Sequence, residues 1–118
     1  MPPPKPDIRF RLRIDVDHEA AIGPGKIALL EAIMTTGSIS AAARKLGMSY
    51  RRAWLLIEDI NGRLKAPAVT RAKGGVLGGS SALTPSGEEL VRLYRTLEAS
   101  AYSETLPEVR ALTRLFAK

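Results

Sequence analysis

Ser38–Trp54 reads SISAAARKLGMSYRRAW. Ser38 is a good N-cap, because its hydroxyl can accept one of the backbone N–H groups that the first turn of a helix leaves unpaired. The capped helix is predicted from Ile39 to Leu46. Its body is thin, since Ala41, Ala42 and Ala43 are small enough to let a second helix cross closely. Gly47 and Met48 supply the turn, and Ser49 caps a further helix from Tyr50 to about Lys65. At 100° per residue, Ala53, Leu56, Ile57, Ile60 and Leu64 share one apolar face of that helix, while Arg51, Leu55, Glu58 and Gly62 share the opposite one. The opening turn carries Tyr50, Arg51 and Arg52. Helix, glycine turn and helix with a cationic leading edge form a helix-turn-helix, the geometry that presents side chains to base edges in a DNA major groove.

The flanking segments complete the pattern. Upstream, Gly23-Pro24-Gly25 opens a helix through about Thr36, with Ile27, Leu30, Ile33 and Met34 on one face. Gly37 ends it where a left-handed residue is needed. Before that helix, Ile8, Phe10, Leu12, Ile14 and Val16 alternate with Arg9, Arg11, Arg13 and Asp15. Period two predicts a half-buried strand over Ile8–Val16, whose row Arg9, Arg11 and Arg13 invites a phosphate-binding reading but is better read as a charged edge that discourages edge-to-edge pairing. His18–Ile22 is expected to be a plain connection. Downstream, Ala66-Pro67 breaks the third helix. Val69-Thr70-Arg71 and Ser81-Ala82-Leu83 read as two short strands joined by the glycine-rich KGGVLGGS (Lys73–Ser80), which together make a wing. Thr84 caps a long helix with Pro85 at its first position, where the missing N–H costs nothing. Leu90, Leu93, Tyr94, Leu97 and Ala101 line one stripe of that helix. A last helix from Pro107 is expected to bury Val109, Leu112, Leu115 and Phe116.

The net charge of +6 is unevenly placed. Between Arg44 and Lys73 stand Arg44, Lys45, Arg51, Arg52, Arg63, Lys65, Arg71 and Lys73 against only Glu58 and Asp59, so this window holds the whole excess. From Glu88 to Lys118 acidic and basic residues balance. A basic stretch coinciding with a helix-turn-helix and its wing is the footprint of a polyanion partner. An arginine at the start of the recognition helix can donate two hydrogen bonds to guanine, worth about 1–3 kcal/mol of base discrimination. Trp54, one turn beyond Tyr50, is expected to pack beneath the wing or against the first helix.

Other chemistry finds little footing. The chain has no cysteine, which removes disulfides, thiolate catalysis and cysteine-containing zinc sites. His18 is the only histidine and lies outside any metal-ligand spacing. Glu58-Asp59 and Glu88-Glu89 are neighbours on helices, so their carboxylates diverge. The loop around Gly74-Gly75 and Gly78-Gly79 lacks the Gly-Lys-Ser/Thr ending of a phosphate-binding loop. No enzyme, metal site or cofactor is expected. MPPPKPD has no apolar stretch of the secretory kind and no run is long enough to span a membrane, so a cytoplasmic protein is expected.

These residues resemble the N-terminal domain of the ModE family of molybdate-responsive transcription regulators. They are more distantly similar to the winged helix-turn-helix of LysR-type regulators. The resemblance runs from about Ile8 to Tyr102 and rests on GPGKIALLEAI, TGSISAAARKLGMSYRRAW, VTRAKGG and GGSSALTPSGEELV. It implies a dimer in which the strand at Ile8–Val16 and the long C-terminal helix take part in pairing. Full-length members continue into molybdate-binding domains, and the chain ends at Lys118 without them, so molybdate sensing is not carried over.

The expected fold is mainly α with a small β component: a winged helix-turn-helix with an N-terminal strand and a long C-terminal dimerisation helix. Residues 1–7 are expected to be a disordered tail, 8–87 the DNA-binding domain and 88–118 a helical dimerisation segment. The candidate DNA-contacting residues are Ser38, Ser49, Tyr50, Arg51, Arg52, Arg71 and Lys73. The candidate dimer interface is Ile8, Phe10, Leu12, Leu90, Leu93, Tyr94 and Leu97. The expected function is sequence-specific transcription regulation by a homodimer on a two-fold symmetric operator in double-stranded DNA, in molybdenum-related gene control, with the effector unassigned. The alternative is a dimeric winged-helix adaptor that holds a partner protein and binds DNA only weakly.

Overall fold

The computed structural model describes residues 6–71 and 80–116. In chain order these form β1 (Ile14–Val16), β2 (Glu19–Ile22), α1 (Pro24–Thr36), α2 (Ile39–Lys45), α3 (Tyr50–Arg63), β3 (Val69–Arg71), β4 (Ser81–Leu83), α4 (Pro85–Glu104) and α5 (Leu106–Phe116). The architecture is mainly α, with two separate antiparallel strand pairs, β1–β2 and β3–β4.

Helix α1 is the centre of the core. Ile27, Leu29, Leu30, Ala32 and Ile33 are buried on it, and α2, α3, β4 and α4 all pack around it. Ile39, Ala42 and Ala43 of α2, Ala53, Ile57 and Ile60 of α3, and Val91 and Tyr94 of α4 close the same cluster. Full burial of a large aliphatic side chain contributes about 1.5–3 kcal/mol, so this one cluster accounts for most of the driving force. The turns are specified locally. Gly37 has φ +76° and its N–H donates to the Ile33 carbonyl at 2.8 Å, an αL helix ending that a side chain would strain. Ser38 Oγ accepts the Ala41 N–H at 3.0 Å and Ser49 Oγ accepts the Arg52 N–H at 3.1 Å, so both predicted caps form.

The wing strands lie where the sequence places them, with Val69 opposite Leu83, Thr70 opposite Ala82 and Arg71 opposite Ser81. Asn61 on α3 ties the first of them down. Its side-chain oxygen accepts the N–H groups of Ala68 and Val69 at 2.7 and 3.2 Å, while its Nδ2 donates to the Val69 carbonyl. The second strand is tied to the end of α1, because the Ser81 N–H donates to the Gly37 carbonyl at 2.8 Å. Thr84 caps α4 through the Gly87 N–H and donates its hydroxyl to the Pro67 carbonyl. Gly87 lets α4 pass directly over the chain at Ala68; a Cβ there would stand 2.2 Å from the Ala68 carbonyl oxygen.

Three expectations are corrected. The strand predicted over Ile8–Val16 is a strand only at Ile14–Val16. β2 is four residues long and leaves nothing for 8–13 to pair with. That segment keeps its alternation of half-buried and exposed residues by lying along α4: Tyr94 Oη donates to the Leu12 carbonyl at 2.6 Å, and Phe10 meets Tyr102 edge-on at 5.6 Å. Second, His18–Ile22 is not a plain connection. Asp17 and His18 take φ +52° and +68°, a two-residue turn of the primed kind that matches strand twist, and Glu19–Ile22 returns as β2. Third, α5 buries Val109 but leaves Leu112, Leu115 and Phe116 exposed.

Two of the expected segment limits meet the structure. Of the tail 1–7, residues 1–5 lie outside the described residues, and Asp7 is ion-paired with Arg9. The limit between 87 and 88 falls inside the unbroken helix α4. No helix among the described residues is long and apolar enough to cross a membrane.

Candidate nucleic-acid interface

The start of α3 is an exposed cationic end. It stands clear because Ala53, Ile57 and Ile60 anchor the rest of the helix in the core. Arg51 and Arg52 are exposed, and among the described residues neither has an ion-pair partner. With Ser49, Leu55 and Leu56 they line a shallow surface depression. Leu55 is 51% exposed beside them, an apolar spot among charges. Two donor forks next to a small apolar surface can serve base edges and thymine methyl groups alike.

The wing approaches this end of the helix from one side. Arg71, the last residue of β3, lays its guanidinium over the Trp54 ring at 4.4 Å and donates to the Tyr50 hydroxyl. Trp54 therefore packs beneath the wing, the first of the two places expected for it. Tyr50, Arg51, Arg52 and Arg71 are thus brought together on one side of the molecule. Ser49 adjoins them, but its oxygen is already accepting a capping hydrogen bond. Ser38 caps α2 rather than α3, and its part in the structure is to hold that helix. Lys73 lies outside the described residues.

Behind the recognition helix, Asp59 is the hub of a polar network. Lys26 of α1 donates to it and to the Ala21 carbonyl, and Arg63 donates to it at 2.9 Å and to Glu19 of β2 at 3.2 Å. Hydrogen bonds first from Arg63 and then from Lys26 hold the Asp59 carboxyl below its ordinary range. The network fastens α3 to α1 and to the β1–β2 hairpin. Across the molecule, Arg95 of α4 bridges Glu31 of α1 and Glu98, and its hydrogen bond lowers the Glu31 pKa. These positioning residues were not foreseen. Asn61 alone left a trace in the sequence, as a poor helix former placed shortly before a predicted helix break.

The residues proposed for a dimer interface divide. Tyr94 is 1% exposed and belongs to the core of its own chain, with burial raising its phenol pKa, so it is removed from the interface. Ile8, Phe10 and Leu12 are half-buried, and Phe10 is already engaged by Tyr102. Leu90 is packed against the core, whereas Leu93 and Leu97 are exposed.

Comparison with known proteins agrees with this geometry. The sequence profile of bacterial regulatory helix-turn-helix proteins of the lysR family matches residues 25–88, from α1 through the wing to the start of α4. The chain is 51% identical over 80 residues to the molybdenum-pterin-binding protein MopB of Rhodobacter capsulatus, covering 68% of this chain and 30% of that protein. It is 40% identical over 109 residues to the transcriptional regulator ModE of Yersinia pestis, covering 90% of this chain and 41% of that one. The chain thus spans well under half the length of these relatives. Among solved structures, ArgP from Mycobacterium tuberculosis matches with a TM-score of 0.53 and 25% identity, covering 74% of this chain and 30% of ArgP. Helix order, wing and sequence together place the chain in the lysR family of bacterial regulatory helix-turn-helix proteins, with proteins named ModE and MopB among its relatives.

Proposed function

We propose that the chain is the DNA-reading part of a cytoplasmic, homodimeric transcription regulator that recognises a two-fold symmetric operator in molybdenum-related gene control. The observation that carries the reading is the exposed pair Arg51 and Arg52, without a carboxylate partner among the described residues, at the start of a helix whose other face is buried. The names of the ModE and MopB relatives support the connection with molybdenum. One recognition helix reads only a few base pairs, whereas two set about 34 Å apart read successive major grooves. Leu93 and Leu97 of α4, with Leu112, Leu115 and Phe116 of α5, supply exposed apolar surface for such a pairing. This reading assigns no catalytic role and needs no cofactor.

The test is selection of operator sequences from random DNA, followed by binding titrations against excess competitor. Arg51→Ala and Arg52→Ala should each relax base preference by about 1–3 kcal/mol at one position. Affinity should also fall steeply with salt, since phosphate neutralisation releases counterions. A second reading, a winged-helix adaptor for a protein partner, draws on the 51% exposed Leu55. It requires that no sequence be enriched and that competitor DNA abolish binding.

A further inference from the structure

Arg71 is held from both ends. Its backbone closes β3, which Asn61 fastens to α3, and its cross-strand partner Ser81 is hydrogen-bonded to the Gly37 carbonyl. Its side chain lies flat on Trp54, with the guanidinium carbon 4.4 Å from the ring centre, and donates to the Tyr50 hydroxyl. Tyr50 and Trp54 are four residues apart on α3, so they stand one above the other on the same helix face. Glu58, the next residue on that face, makes no ion pair with Arg71 among the described residues.

The polarity of this triad follows from its chemistry. A guanidinium has donors and no acceptor, so the Tyr50 oxygen must be the acceptor of their hydrogen bond. The phenolic proton is then free to point elsewhere. Tyr50 and Arg71 together present several donors and one positive charge, at the junction between recognition helix and wing. Tyr50 remains 46% exposed, so that edge is open. The matching ligand group is an anion rich in acceptors. A guanidinium set by its face on an indole and by one N–H on a phenol would have to give up both contacts to enter the plane of a base pair. A phosphodiester, which accepts from many directions, makes no such demand.

Resting on the DNA-binding reading above, we infer that Tyr50, Trp54 and Arg71 form a preassembled donor seat for one phosphodiester group of the DNA backbone. Tyr50 and Arg71 touch the phosphate, and Trp54 is a positioning residue that acts through Arg71. The seat fixes how far the recognition helix enters the groove and carries no base preference of its own.

The experiment uses the whole chain and its selected operator. Arg71→Ala should weaken binding to operator and random DNA by the same factor and reduce the slope of log affinity against log salt by about 0.9. Trp54→Leu should weaken binding roughly two- to fivefold, the range expected for losing a cation–π contact. The double variant should bind no more weakly than Arg71→Ala alone, and Trp54→Phe, which keeps an aromatic face, should recover most of the loss. Thermal melting of each variant checks folding. Because Trp54 is the only tryptophan, its fluorescence reads the contact directly, and Arg71→Ala should change the emission of the DNA-free protein. Multiplying losses in the double variant, or unchanged emission, overturn the positioning role. A loss confined to operators with guanine at one position makes Arg71 a base reader and overturns the phosphate assignment. If the unaltered protein binds no DNA, the regulator reading fails and the seat with it; normal DNA binding with any of the other adverse results removes the seat alone.

Discussion

On α3 and β3, Arg51, Arg52 and Arg71 have no carboxylate partner among the described residues, whereas on α4 Arg92 is bound to Glu89 and Arg95 to Glu31 and Glu98. Apolar side chains show the reverse. The helix-turn-helix exposes Leu46 and Leu55 and covers its other large aliphatic residues wholly or in part, while α4 and α5 expose Leu93, Leu97, Leu112, Leu115 and Phe116, the last two at 80% and 66%. One end therefore offers unspent charge over a finished core. The other offers balanced charge beside unfinished apolar surface. A polyanion and a second protein surface are the respective complements, and the contrast is a physical reason to assign DNA to one end and self-association to the other.

The largest expected effect breaks the joint between the two ends. In a helix, Gly→Ala ordinarily gains about 1 kcal/mol. At Gly87 the new methyl would strike the Ala68 carbonyl, so Gly87→Ala should instead lose about 2–3 kcal/mol through overpacking, read as a lower urea midpoint. A neutral or stabilising outcome would mean that α4 does not rest on the foot of the wing.

Next in size is a test of the apolar end by itself. Leu97 is 51% exposed, so Leu97→Glu should alter the stability of a single chain by no more than about 0.5 kcal/mol. Sedimentation should nevertheless show half the mass, and affinity for a two-half-site operator should fall at least about tenfold relative to a single half-site. An unchanged mass would remove this face from the pairing surface.

The smallest effect concerns the paired charges. Hydrogen bonds from Arg95 lower the Glu31 pKa from its ordinary 4.5, and those from Arg63 and Lys26 lower Asp59 from 3.8. A carboxyl whose pKa is lowered by folding stabilises the protein fully above its unfolded value and progressively less as pH falls through the folded one. Both groups are partly exposed, with side-chain accessibilities of 37% and 40%, so each is expected to contribute at most about 1 kcal/mol. The stability advantage of the unaltered protein over Glu31→Gln should therefore be constant near neutrality and shrink below about pH 4.5. An advantage that persists at lower pH would show that the bridge does not depend on the charge of Glu31.

What could be read in the sequence follows from the range over which each signal acts. Ser38, Ser49 and Thr84 act on N–H groups three residues away, so their helices begin where expected. The turn at Gly37 and the strands Val69–Arg71 and Ser81–Leu83 were legible for the same local reason. The N-terminal segment was only half legible. Alternation reveals that Ile8, Phe10 and Leu12 face something apolar, but a flanking helix satisfies that pattern as well as a neighbouring strand. β2 escaped notice because Glu19–Ile22 does not alternate and its turn uses Asp17-His18 in place of a glycine. The stripe on α5 shared one face, as periodicity requires, yet periodicity does not say whether the same chain covers it. In the candidate interface, Arg51 and Arg52 were visible as a local pattern. The approach of Arg71 to Tyr50 and Trp54, about twenty residues away in sequence, is a product of the tertiary fold.

The two stems of the wing are moored independently, one by Asn61 to α3 and the other through Ser81 to the end of α1. Closing a loop between ends that are already fixed costs little more when the loop is lengthened, since the entropy of closure grows only with the logarithm of its length. The positions of Arg71 and Ser81 are accordingly set by the fold on either side of them, and residues added between the two would leave Arg51 and Arg52 where they are.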